Sequence, residues 1–367
     1  MQKKIIALAV AGLASTAAFA QSNVTIYGSV DMGYAYRYDS NNRNVDSNSA
    51  IDGGQAQGNR LGFKGVEDLG NGLKAVFLLE QGFGVDASSD ATTAAGTNKS
   101  ISFTRQAYVG LTGGFGTAIA GRLYTPHFSF VSAIDPFSAG TVGQYKNVYG
   151  GGLFDPTRVD NAVAYVSPSF GGFTVTGAYS NNAIAQESSI DNSQNNTVYA
   201  LLARYTAGPV DVGFNVHRIA GASGNGVPTT MKSIDNYTLG GTFDAKVVKI
   251  HGLISHNIQD NATGTNDVQI DNYMIGATVP VGKFAIKTSY MFSDGNSAAG
   301  GNAQQFAVGG NYALSKRTDL YTAYSIIDND SATQNGVTLR RAAVVGDASN
   351  SGMTFQQGFQ VGVRHLF

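Results

Sequence analysis

Cysteine and tryptophan are absent from this chain, charged residues make up only 13% of it, and no apolar run beyond residue 20 approaches the length of a membrane helix. Without cysteine there is no thiol catalysis, disulfide scaffold or thiolate metal site, and an exported chain escapes oxidative mispairing. Without about 20 consecutive apolar residues a helical membrane protein is excluded. The formal charge of −1 provides no global basic field, so nucleic acid is not an expected partner. G-x-S-x-G, H-E-x-x-H and Walker motifs are also missing. Five histidines are scattered at His127, His217, His251, His256 and His365. The nearest pair, His251 and His256, has an odd spacing that sends the two rings to opposite faces of a strand. No catalytic residue, cofactor or metal is therefore expected. "IDNDSATQNG" (327–336) has part of a calcium-loop pattern, but Ala332 stands where an oxygen ligand is needed, so it reads as a solvated loop.

What is present begins with "MQKKIIALAVAGLASTAAFA", in which Lys3 and Lys4 precede an apolar run from Ile5 to Leu13 and Ala18-Phe19-Ala20 closes the segment. This is the pattern of a signal peptide over residues 1–20, with cleavage expected between Ala20 and Gln21. Loss of Lys3 and Lys4 takes the formal charge from −1 to −3. No linker or composition change divides residues 21–367, so a single architecture is expected.

From Val24 the sequence reads "VTIYGSVDMGYAYRY". Val24, Ile26, Gly28, Val30, Met32, Tyr34, Tyr36 and Tyr38 share one parity, and Thr25, Ser29, Asp31, Gly33, Ala35 and Arg37 the other, with Tyr27 the only large ring on the polar side. This is a strand with one apolar and one polar face, as long as a tilted membrane strand of about 9–11 residues plus an extension. The alternation returns at Leu73–Leu79, Tyr199–Tyr205, Val210–Val216 and Phe284–Phe292.

Connections come in two sizes. Short Gly-, Pro- and Asp-rich turns fall at 67–72, 113–116, 167–172, 206–209, 244–247, 280–283 and 315–318. Long polar loops fall at 39–58, 83–98, 125–157, 182–196, 220–233, 258–268, 294–302 and 328–353. The two kinds alternate strictly, and seven plus eight connections require sixteen strands. Sorting of this kind belongs to an all-β, 16-stranded antiparallel transmembrane β-barrel of the bacterial outer membrane, with short periplasmic turns and long extracellular loops. Closure follows because hydrocarbon offers no partner to an unpaired strand edge.

The segments "NRLGFKGVEDLGNGLKAVFLLEQGF", "RQAYVGLTGGFGTAIAGRLYTP", "IDPFSAG", "RVDNAVAYVSPSFGGF" and "VGVRHLF" together resemble general porins of Gram-negative bacteria of the neisserial and burkholderial type, over essentially all of residues 21–367. The resemblance implies a homotrimer of sixteen-stranded barrels passing small ions and hydrophilic solutes. It implies too that the third long loop, 125–157, folds inward as a constriction. That loop is the longest, and its "FSF", "DPF" and "QYKNVYGGG" elements are too aromatic for plain solvated chain.

A pore selects by width and by the charges at its narrowest part. Leu61 and Phe63 facing lipid put Arg60 and Lys64 in the lumen; Ile119 and Leu123 facing lipid do the same for Arg122, and Val159, Val163 and Tyr165 for Arg158 and Asp160. Asp31, Arg37, Lys74 and Glu80 are also expected to line the pore, and Asp135 and Lys146 to sit on the constriction loop. By resemblance, Arg60, Arg105 and Lys146 match basic constriction residues of anion-preferring porins. Strict alternation puts Arg105 on the outer face with Phe103 and Ala107, so a bulge would have to re-aim it. Arginine stays charged and presents a planar fork to carboxylate and phosphate, which points to a modest anion preference.

The alternatives are a substrate-specific channel for organic acids or sugars, an outer-membrane enzyme and an adhesin. Sparse inward aromatics disfavour the first, and the absence of catalytic motifs the second. In "FQVGVRHLF", Phe359, Val361, Val363, His365 and Phe367 form the lipid-facing parity of a last strand that closes the barrel against the first. By resemblance Phe367 is an assembly signal read by the barrel assembly machinery, and lipopolysaccharide is the expected surroundings of the outer surface.

Overall fold

The computed structural model describes residues 23–38, 47–86, 103–149, 156–183, 196–221, 231–261, 267–296, 301–330, 332–334, 337–339 and 355–367. The expected signal peptide, residues 1–20, and parts of the long loops lie outside them. In chain order the strands are β1 (Asn23–Tyr38), β2 (Ser47–Gly53), β3 (Arg60–Gly70), β4 (Leu73–Gly82), β5 (Gln106–Gly113) and β6 (Gly116–Tyr124). After the helix α1 (Pro126–Ile134) come β7 (Arg158–Val166), β8 (Phe173–Ser180), β9 (Asn196–Ala207), β10 (Val210–Gly221), β11 (Met231–Asp244) and β12 (Lys249–Asn261). The chain continues through β13 (Val268–Val281), β14 (Phe284–Gly295), β15 (Ala303–Ala313), β16 (Thr318–Asn329), β17 (Ala332–Gln334), β18 (Val337–Leu339) and β19 (Gln357–Leu366).

All but β17 and β18 form one antiparallel sheet of seventeen strands. β2 and β3 share a single place beside β1: β2 pairs with Met32–Tyr38 and β3 with Asn23–Ser29. The sheet therefore has sixteen staves, and it is closed by β1 pairing with β19 from Ser29↔Leu366 to Tyr38↔Gln357. Closure leaves no edge, which is what a strand protein in hydrocarbon requires. The seven short turns fall at the positions that the sequence assigns to them. Two long loops contain more order than expected: 39–58 holds β2, and 328–353 holds the small β17–β18 hairpin.

The outer surface carries the apolar parity. Val109, Leu201, Ile254, Ile275 and Val361 are exposed on it, with Tyr165, Tyr199, Tyr273 and Tyr290. The larger cluster of buried apolar residues lies inside, where α1 and the chain after it pack on the inner wall. Phe130, Val131, Ile134, Phe137, Val142 and Tyr145 meet Leu202, Leu253, Met274 and Met291 there. Two inward glycines admit this segment closely: a Cβ at Gly213 would lie 2.7 Å from the Phe130 ring, and one at Gly276 would lie 2.6 Å from Pro136 Cγ.

Candidate functional site

The helix α1 starts where Thr125 caps it, its Oγ1 accepting from Phe128 N at 3.0 Å with Pro126 in the first turn. It ends at Asp135, which does not face the lumen as expected. Asp135 is 2% exposed, and its carboxylate accepts the backbone N–H groups of Phe137 (3.0 Å), Ala139 (2.9 Å) and Tyr145 (3.2 Å). Burial pushes this acid up to about 6, against the three hydrogen bonds that favour the carboxylate. It organises the fold of the loop rather than lining an eyelet.

Other bonds fix the loop to the wall. His251 Nδ1 donates to Ile134 O at 2.6 Å. Asn236 Nδ2 donates to Tyr149 Oη at 2.6 Å, and His127 Nε2 lies 2.9 Å from the same hydroxyl. Asn147 Nδ2 reaches Gln305 Oε1 at 2.8 Å, and Gln360 Oε1 accepts from Val142 N at 2.7 Å. The histidines that looked scattered along the sequence thus include two, His127 and His251, that hold one loop in place.

Against this loop the structure assembles a basic cluster about one carboxylate. Glu80, 2% exposed, accepts from Arg105 Nε at 2.6 Å, Arg60 Nη1 at 3.4 Å and Tyr27 Oη at 3.0 Å. The Tyr124 hydroxyl accepts from Arg105 Nη2 (2.7 Å) and Arg158 Nη2 (3.1 Å), tying the two guanidinium groups together. The Phe128 ring lies tilted against Tyr124 at 5.0 Å, and Lys146 Nζ sits 4.5 Å from the Phe128 ring while donating to Thr157 Oγ1 at 2.5 Å. Arg60 and Arg105 thus bind Glu80 directly, while Arg158 and Lys146 are linked to them through Tyr124 and Phe128; the four cations exceed the one carboxylate by three charges.

Arg105 joins this group for a specific reason. β5 begins only at Gln106, so Arg105 stands before the strand in a bend and is released from its alternation; Phe103 stays outside against Phe63 at 6.4 Å. The alternation used for Arg122, Arg158 and Asp160 fails for a related reason. Leu123 and Val159 are buried with Ala162, Val198, Ile219 and Ile234, and Ile119 packs against them, so none of the three faces lipid. In β6, Ile119 and Leu123 keep one parity but on the inner face. In β7, Gly121↔Ala162 is followed by Leu123↔Val159, so β7 carries an extra residue, and with Asn161 at φ +50° its period breaks, turning Val159 inward while Val163 and Tyr165 stay exposed. Arg122 bonds Thr104 O at 2.6 Å and pairs with Asp160, a neutral couple flanking the cluster.

The remaining nominees are placed elsewhere. Lys64 lies four residues beyond Arg60 toward the short turn, about 13 Å along the strand, with its ammonium 5.4 Å from the Tyr27 ring. Lys74 is exposed beside that turn, opposite Asp68. Asp31 and Arg37 have the inward parity but are not free to line the pore. Asp31 is fully buried, accepting from Ala56 N, Gln57 N and Tyr321 Oη, and Arg37 is covered by Asn48 and Asp52 of β2. Nothing in the pattern of the sequence marks Tyr124. Tyr27, the lone large ring on a polar parity, is the sequence feature that points to a hydroxyl in this cluster.

A family model described as "Gram-negative porin" matches residues 7–332. The chain is a Gram-negative porin. Outer membrane porin protein 32 of Delftia acidovorans is 34% identical over 379 residues, covering all of both chains. A major outer membrane protein P.IB of Neisseria gonorrhoeae is 28% identical, over 94% of this chain and 99% of its own. Among solved structures, the anion-selective porin from Comamonas acidovorans superposes with a TM-score of 0.76 at 29% identity, covering 95% of this porin and 100% of its own chain. OmpT of Vibrio cholerae in a trimer form has the same fold, with a TM-score of 0.65 at 16% identity over 94% and 99%. This porin is therefore an outer-membrane barrel enclosing a diffusion channel, its short turns periplasmic and its long loops extracellular.

Proposed function

We propose that this barrel conducts small ions and hydrophilic solutes with a modest preference for anions, and that residues 125–157 form its constriction. The observation that carries the reading is the chain of Arg60 and Arg105 on Glu80 with Arg158 and Lys146 joined to them through Tyr124 and Phe128, where the inward loop meets the wall. A fixed excess of positive charge raises the local anion concentration in a narrow, low-dielectric opening. The relative described as an anion-selective porin supports the same sign. The channel acts by passage alone and performs no catalysis.

The assembly proposed is a homotrimer set in lipopolysaccharide and outer-membrane lipid. Phe367, bonded to Gly28 through N→O (3.2 Å) and O←N (3.0 Å) contacts at the seam, is proposed as part of the signal read by the barrel assembly machinery. Reversal potentials of the refolded protein across a potassium chloride gradient test the selectivity: the chloride sign is expected, and a clear potassium preference overturns it. Conductance appearing in triplets tests the trimer in the same recording.

A further inference from the structure

A second group of cations lies away from the Glu80 cluster, in a recess of about 610 Å³ bounded by β14, β15, β16 and β19 below the constriction loop. Lys283, Lys287, Lys316, Arg317 and Arg364 line it, with Asp319 the one carboxylate among the lining residues, leaving an excess of four positive charges. Phe137, Ser138 and Thr141 of the loop close it from above, and the turns at 281–284 and 313–318 bring it to the periplasmic side.

The recess has a built part. Asp319 holds Arg364 through Nε and Nη2, both at 3.0 Å, and itself accepts from Asn311 Nδ2 at 2.5 Å. Lys287 faces inward from β14, opposite Gly309, whose missing side chain admits the Phe137 ring of the loop. It makes no hydrogen bond or ion pair among the described residues, although it is half-buried. Asp135 is engaged by backbone donors of the loop, and Asp31 by Tyr321 and two backbone donors. Asp135 and Asp319 act on Lys287 through space, but neither bonds it, and Asp319 is already shared with Arg364 and Asn311. Five cations in one wet recess repel one another, and a small anion bearing two charges relieves that repulsion while taking hydrogen bonds from ammonium and guanidinium together.

We infer that this recess is a second anion station, on the periplasmic side of the constriction, which retains small dianionic oxyanions such as hydrogen phosphate in passage. The inference rests on the channel reading above but not on its selectivity at the Glu80 cluster. It makes phosphate a saturable ligand of the pore, where a plain water-filled channel would pass it in proportion to concentration.

The test records chloride current through the refolded full chain in planar bilayers while inorganic phosphate is added at neutral pH from one side at a time. Saturable block is expected, stronger from the short-turn side. Lys287→Gln is expected to raise the half-blocking concentration about threefold and Lys287→Gln with Lys316→Gln about tenfold, the scale of one and two screened charges at close range. Lys316 is exposed at a turn, so Lys316→Gln alone gives a readout that does not depend on tolerance at Lys287. Lys246→Gln, an exposed turn charge outside the recess, is expected to leave the block unchanged. Absence of block, block unaltered by both recess substitutions, or block weakened by Lys146→Gln alone would each overturn the assignment. A potassium-selective reversal potential would instead count against the preference set by the Glu80 cluster, so the two failures are told apart.

Discussion

Arg105 shows how much one side chain can depend on where a strand begins. It stands one residue before β5, so it can turn inward and give its Nε to Glu80 and its Nη2 to Tyr124. Arg105→Gln is expected to lower the chloride-to-potassium permeability ratio about threefold, the worth of one partly screened charge, as read from reversal potentials. Tyr124→Phe keeps every charge and removes only the shared acceptor, so a smaller fall in the ratio with noisier open current is expected. Asp135 supplies a second prediction, in pH. Its acid group is raised to about 6 from an ordinary value near 3.8, so its contribution to loop stability is fully present below the ordinary value and is lost as pH rises through about 6. Closures should therefore be rarer at pH 5 than at pH 8 in single-channel records, and Asp135→Asn, which cannot ionise, should flatten that difference. Equal pH dependence in the two proteins would count against a titrating Asp135.

At the scale of elements, the constriction loop and the wall are fitted to each other by what the wall leaves out. Gly213 and Gly276 face inward on strands whose neighbours carry larger residues, and the Phe130 ring and Pro136 occupy the space so left. Gly276→Leu would drive a side chain into Pro136 and is expected to displace the loop, increasing single-channel conductance while the barrel still assembles; unchanged conductance would sink the idea. The same positions mark where sequence reading stops. Period-two alternation and the sorting of short and long connections gave the sixteen staves and their turns, because hydrocarbon outside and water inside impose that pattern at every residue. Glycine in a strand carries no such mark: it reads as a weak strand position, and only the loop packed on it supplies its meaning. Alternation also fails between Val159 and Ala162 and before Gln106, where backbone geometry re-aims side chains. That is why Arg60 was legible from parity, Arg105 only from resemblance, and Tyr124 from neither. The buried Asp31, Arg37 and Asp135 were misplaced for another reason, since a charge with the right parity can still be used up by backbone N–H groups or by a covering strand.

At the scale of the whole molecule, the fold separates two basic regions along one water path: the Glu80 cluster on the wall of β3–β7 and the recess on the wall of β14–β19. The net charge of the sequence is slightly negative, so selectivity has to come from where the charges stand rather than from their sum. Fixed charges act on a passing ion only within a Debye length, about 10 Å at 0.1 M salt and about 3 Å at 1 M. An opening narrower than the first distance is dominated by its wall, whereas at the higher salt counterions inside the lumen screen the wall from the ion. The chloride-to-potassium permeability ratio should accordingly be highest in dilute gradients and decline toward unity, by about twofold to fivefold, as both baths are raised toward 1 M. If the preference came from pore width alone, with the wall charges already neutralised by their partners, the ratio would not move with salt. Measuring reversal potentials at a constant tenfold gradient over that range therefore decides whether the excess charge around Glu80 acts on the permeating ion.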